Sequence, residues 1–151
     1  MRTPHLIGYS WIRRLHDLWI VLAWVGVLTG IMVNTFFHRN CFGYVNLMDL
    51  TDPCQSVFDW GLFFAAAVGA GMTILDERVG YVGFILVHVL ASILFFTFIV
   101  GPVFLGLTGP QASVEIVNRA LVIDFRSQFP LPIFFSLIGS FLGVYLGGWV
   151  K

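Results

Sequence analysis

Charge is what this sequence has least of. Acidic and basic side chains make up 11% of its 151 residues, eight of each sign, so the formal net charge is zero. Without a polybasic run or stripe there is no electrostatic footprint for a phosphate backbone, which excludes nucleic acid as a partner. Cysteine is nearly absent as well: Cys41 and Cys54 are the only two. They are not the close Cys-x-x-Cys pair of dithiol catalysis, and with His38 they match no zinc spacing, so no metal site is expected. No catalytic motif with a diagnostic spacing occurs, and no catalytic residue is assigned.

What fills the chain instead is apolar. Hydrophobic residues reach 58%, with 16 Phe and 5 Trp, far from the balance of a soluble globular domain. The apolar residues gather into four runs, 18–37, 57–75, 79–107 and 130–150. At ~1.5 Å rise per residue, each has the length of a helix that crosses a hydrocarbon core ~30 Å thick. A soluble domain of this size can bury one such helix, not four. The expectation is therefore an all-α membrane protein, a four-transmembrane-helix bundle forming one integral domain over residues 1–151. Arg13 and Arg14 precede the first run as in a signal peptide, but the run is too long and no small-x-small site follows, so it reads as an uncleaved first span.

Between the third and fourth runs the rhythm changes. Over 112–126, Glu115, Arg119, Val122 and Arg126 fall on one helical face, with Val114, Val117, Leu121 and Phe125 opposite. Glu115 and Arg119 form a favourable i,i+4 pair. The pattern predicts a short interfacial amphipathic helix, which serves as a bridge along the membrane surface or as a dock for a partner. The short turn at Asp76-Glu77-Arg78 folds the second and third runs into an antiparallel hairpin. An even number of spans leaves both termini on one side. Arg2, Arg13, Arg14, Arg78 and Lys151 fall there against Arg39, Arg119 and Arg126 on the other, a bias that puts the termini on the cytoplasmic-equivalent side. Cys41 and Cys54 then share an outside loop, where a disulfide closing it contributes roughly 3 kcal/mol.

Small residues recur at intervals of four: Gly26 and Gly30 in the first run, and Gly139, Gly143 and Gly147 in the last. Such stripes let helix backbones approach closely, within the bundle or against another subunit, or leave room for a flat ring. His88 is the one titratable residue deep in an apolar run, ~13 Å from its start by helical rise, with Ser92 one turn on. An ionisable group at that depth suggests haem or pigment ligation, a quinone hydrogen bond or proton transfer, or else an imidazole satisfied by a neighbouring helix. His16, beside Asp17 at the opening of the first run, is the second imidazole of a possible bis-histidine site, although helical rise leaves it roughly 6 Å shallower than His88. The alternative for His16 is an interfacial charge cluster.

These readings lead to a small accessory or anchor subunit of a multi-subunit energy-transducing membrane complex, respiratory or photosynthetic. Its partners are the lipid bilayer and other membrane subunits, and its His88, with His16 and Ser92, contacts a haem b, quinone or pigment. Two other classes stay open: a homo-oligomeric channel or small transporter, and a haem- or quinone-dependent membrane oxidoreductase.

Overall fold

In hydrocarbon every backbone N–H and C=O must be satisfied by the chain itself, and helices do this within one segment. The computed structural model describes residues 5–38 and 56–150. Among them it has five α-helices and no strand: α1 His5–His38, α2 Val57–Thr73, α3 Glu77–Phe104, α4 Pro110–Gln128 and α5 Leu131–Val150.

Three helices among the described residues are long and apolar enough to cross a membrane, not the four expected: α1 over Trp11–His38, α3, and α5 over Leu131–Trp149. The exception is α2, whose 17 residues rise only ~25 Å, short of a ~30 Å core. Ile74 leaves the helix in an extended conformation. Beyond it, the backbone N–H groups of Leu75 and Asp76 donate to the two carboxylate oxygens of Asp17 at 2.8 and 3.1 Å. Asp76 then caps α3 by accepting from the N–H of Arg78. The expected run ends early because Asp17 captures its last turn. At the other end, Ser56 and Asp59 form a reciprocal capping box on α2, which satisfies two of the donors a helix start leaves open.

Contacts between helices fix their directions. Phe36 meets Phe95 and Phe37 meets Phe98, each pair with ring centroids 6.0 Å apart, while Asp17 reaches the α2–α3 turn. Helix α1 thus runs beside α3 in the same direction. Helix α5 runs against α3, with Phe141 on Tyr81 and Val144 against Gly80. It lies parallel to α2, as the glycine contacts below show. Helix α4 folds back along α3, and after a break at Phe129-Pro130 α5 runs in the same direction, starting alongside the end of α4 so that Gln128 and Ser136 both meet His88. Gly106, at φ +69°, ends α3 in the left-handed conformation that glycine adopts without a Cβ clash. The core joins Leu28 and Met32 of α1 with Phe63 and Ala67 of α2 and Val87, Ala91 and Phe95 of α3.

Helix α4 is longer than the segment predicted and turns a different face inward. Ala120, Ile123 and Gln128 are its buried residues, whereas Val114, Leu121 and Phe125 of the predicted apolar face stay exposed. The pair of Glu115 and Arg119 forms as the spacing predicts, at 2.6 Å.

Candidate functional site

His88 is 4% exposed, held among apolar neighbours: the Phe84 ring meets it edge-on at 4.8 Å and Phe63 lies nearly parallel to it at 6.3 Å. A ring nitrogen so placed must find a partner inside the protein. Both do. Nδ1 lies 2.7 Å from Oε1 of Gln128 at the end of α4, and Nε2 lies 2.9 Å from Oγ of Ser136 in α5. An amide oxygen only accepts, so Nδ1 carries the proton it donates to Gln128, and in a neutral ring Nε2 accepts from the Ser136 hydroxyl.

The network continues through Gln128. Its amide nitrogen donates to Oγ of Ser92 and to the backbone carbonyl of His88 at 3.4 Å. That second bond fixes the amide orientation, and with it the imidazole tautomer. Ser92 in turn bonds Asp124. Every donor therefore points the same way, from Ser136 through His88, Gln128 and Ser92 to the Asp124 carboxylate. Burial pushes the Asp124 carboxyl up to about 6, an effect only partly offset by the bond from Ser92. Its Oδ1 is buried and accepts no hydrogen bond among the described residues. Burial disfavours the charged form, so this carboxyl keeps its proton to higher pH than an ordinary carboxyl does.

His88 and Ser92 thus come together, joined by Gln128, Ser136 and Asp124, which the sequence reading passed over. Gln128 falls between the amphipathic segment 112–126 and the apolar run 130–150, and Ser136 sits within that run. The one available signal was the interval of four between Asp124 and Gln128, which puts them on one helical face. His16 is not part of this cluster. Its Nδ1 lies 3.3 Å from the Asp17 carboxylate at the α2–α3 turn. His88 is twelve residues beyond Asp76, ~18 Å along α3. Two imidazoles so far apart do not make a bis-histidine haem site. In this arrangement both His88 ring nitrogens are hydrogen-bonded, to Gln128 and to Ser136.

Helix α5 meets α2 through its glycines. A Cβ built on Gly139 falls 2.6 Å from the Phe64 carbonyl oxygen, and one on Gly147 falls 2.8 Å from that of Met72. At Gly143 it falls on the Val68 carbonyl oxygen and 3.0 Å from the Cα of Gly71. Gly26 and Gly30 of α1 differ: a Cβ on either meets nothing within 4 Å, so the pair expected as a packing stripe makes no helix contact among the described residues. Cys41, Cys54 and the bond expected between them lie outside the described residues. No group of three or more His, Cys, Asp or Glu side chains that could hold a metal occurs among the described residues. The chain matches no protein-family model, and comparison with curated proteins and with solved structures finds no match.

Proposed function

We propose that this chain is a small accessory or anchor subunit of a multi-subunit energy-transducing membrane complex. In this reading His88 is a hydrogen-bonded pin that locks α3, α4 and α5 together, not a cofactor ligand. The termini face the cytoplasmic-equivalent side of that membrane. The observation that carries the proposal is the outer face of α4. This helix is too polar to span a bilayer, yet Val114, Leu121 and Phe125 stand 64%, 54% and 61% exposed on it, and the rings of Phe125 and Phe129 stack at 5.1 Å. An apolar stripe on a helix rimmed by Glu115, Arg119 and Arg126 suits a protein partner. Solubilised gently from its native membrane, the chain should run within a larger assembly on a native gel, and Leu121→Glu with Phe125→Glu should release it as a folded single subunit. Wild-type protein that runs alone, or a double variant still in the assembly, defeats the proposal.

One observation favours the small transporter. The return path opposite α3 is broken beside His88, Gln128 and Asp124, and broken helices flanked by polar groups near mid-membrane are how many transporters build a binding site. Purified chain in liposomes, tested for proton uptake driven by a pH gradient, separates the two. Flux lost in Asp124→Asn supports transport, and flux no faster than through empty liposomes rules it out.

A further inference from the structure

One hydroxyl in the helices is idle. Thr29, Thr35, Thr73 and Thr97 donate back to carbonyls of their own helices, and Ser92 and Ser136 bond other side chains. Ser140, one turn beyond Ser136 in α5, does neither. It is 1% exposed, and its Oγ has no hydrogen-bond partner among the described residues. A helical serine readily satisfies itself on the carbonyl one turn back. A buried polar group without a partner destabilises the chain that carries it, and alanine would remove that cost with little change in volume.

Ser140 also lines a cleft between α3 and α5. The cleft holds about 310 Å³, with Tyr81, Phe84 and Ile85 on one wall and Leu137, Ser140 and Phe141 on the other. Phe84 and Ser140 are buried, whereas Tyr81, Ile85 and Phe141 are exposed, so the cleft has a deep floor and an open rim. Both walls belong to helices apolar and long enough to span a membrane, so a ligand enters from the bilayer and not from water. Apolar and aromatic walls with one well-placed polar group are the usual make-up of a small-molecule site.

The lining narrows the class of ligand. No side chain in it is charged, which excludes an ionic headgroup. Its volume is at the small end of ligand pockets, which start at roughly 300 Å³, so it takes one ring and not a multi-ring pigment. The Tyr81 and Phe141 rings lie 5.2 Å apart and tilted by 42°, and with Phe84 they offer a flat ring the stacked and edge contacts that aromatic groups prefer. The serine hydroxyl turns about a single bond and donates to a carbonyl on that ring. An acyl chain would leave the hydroxyl as it is, without a partner.

We infer that the cleft between α3 and α5 binds the ring of a membrane quinone, with the Ser140 hydroxyl donating to one ring carbonyl, Tyr81, Phe84 and Phe141 flanking the ring, and the tail left in lipid. The choice of a quinone among ring carbonyls rests on the energy-transducing reading above; the cleft and its hydroxyl do not.

The full chain, purified in detergent and freed of lipid, tests this by native mass spectrometry with two probes: decylubiquinone, and decylbenzene, which keeps a ring and the tail but has no carbonyl. Decylubiquinone should bind at one per chain, and decylbenzene at least fivefold more weakly. Ser140→Ala should weaken decylubiquinone about fivefold, the order of one hydrogen bond. The same change should leave decylbenzene unaffected and the ligand-free chain melting no lower than wild type, since no bond is lost. Ile85→Trp, at the exposed rim, should block decylubiquinone at unchanged helicity, while Ile93→Trp, exposed elsewhere on α3, should bind as wild type. Equal retention of the two probes, wild-type affinity in Ser140→Ala, or equal loss in Ile93→Trp overturns the site. A wild-type chain that runs alone on the native gel defeats the subunit reading and leaves this binding result standing.

Discussion

Helix α5 is held on two sides by opposite means. Against α2 the backbones come close: Gly139, Gly143 and Gly147 leave room for the carbonyls of Phe64, Val68 and Met72, and side chains enter only beside them, as Ala67 does at Gly139 and Trp60 does in stacking on Phe135. Against α3 and α4 the contact is polar, through the chain from Ser136 to Asp124. In water, burial of apolar surface would drive both contacts. In lipid that force is nearly absent, since acyl tails are as apolar as leucine, and helices associate through close packing and hydrogen bonds. This molecule uses the two separately. The dry seam tolerates no added volume, because backbone cannot rotate away. The polar junction tolerates volume but not the loss of a partner.

The comparison breaks first at the seam. Gly143→Leu places four carbons where the Val68 carbonyl and Gly71 already lie. Overpacking of this kind costs ~3 kcal/mol, so α5 should separate from α2. Thermal melting in detergent should show a large drop and cysteine crosslinking between the two helices should fail, whereas unchanged melting means that the seam does not form. At the polar junction, His88→Leu leaves Gln128 and Ser136 without their partner, at about 1–2 kcal/mol, the range for hydrogen bonds between helices in membranes. The melting point should fall by less than for Gly143→Leu, with the absorption spectrum of the purified complex unaltered. Loss of a visible band on this substitution would restore the ligand role.

Asp124 sharpens the contrast because only the polar junction carries a titrating group of this kind. Its folded-state value, about 6, lies above the ordinary carboxyl value of 3.8. The neutral form is therefore favoured on folding, so its contribution to stability is full below about 4 and is lost as pH rises through about 6. Melting measured from pH 4 to pH 7.5 should show α4 loosening over that window. Asp124→Asn should flatten this component and leave any slope due to other carboxylates. A wild-type slope unchanged by the substitution excludes Asp124 as its source. The smallest effect belongs to α1: Gly26→Leu with Gly30→Leu should leave the isolated chain's melting unchanged, since a Cβ at either position meets nothing within 4 Å. A loss of stability in the isolated chain would place α1 differently.

Much of the architecture was legible from residue type alone. Four apolar runs and the amphipathic segment between the last two mark five helices, and the spacing of Glu115 and Arg119 gives their ion pair. The length of α2 was not legible, because Ile74 and Leu75 are as apolar as the residues before them. What ends that helix is Asp17, 58 residues away in sequence from Leu75. The site was half legible. His88 and Ser92 stand out because a polar group in an apolar run is conspicuous. Gln128 and Asp124 do not, because they sit in a helix where polar residues are ordinary, and their burial depends on α4 folding back on α3.

The sequence by itself determined that this chain is helical, that its surface is apolar, and to within a few residues where its last four helices begin, because apolar runs and glycine–proline breaks are local; α1, which starts at His5, begins well before the run at 18. Only the tertiary structure decided which faces meet. The α2–α3 connection is short, yet α2 packs closely on α5, since the glycines that permit contact are there. Only the return of α4 toward mid-span gives His88 two partners at once. Hydrogen bonds and backbone contacts between helices need two surfaces at a set distance, and distance between segments is what a linear pattern does not contain.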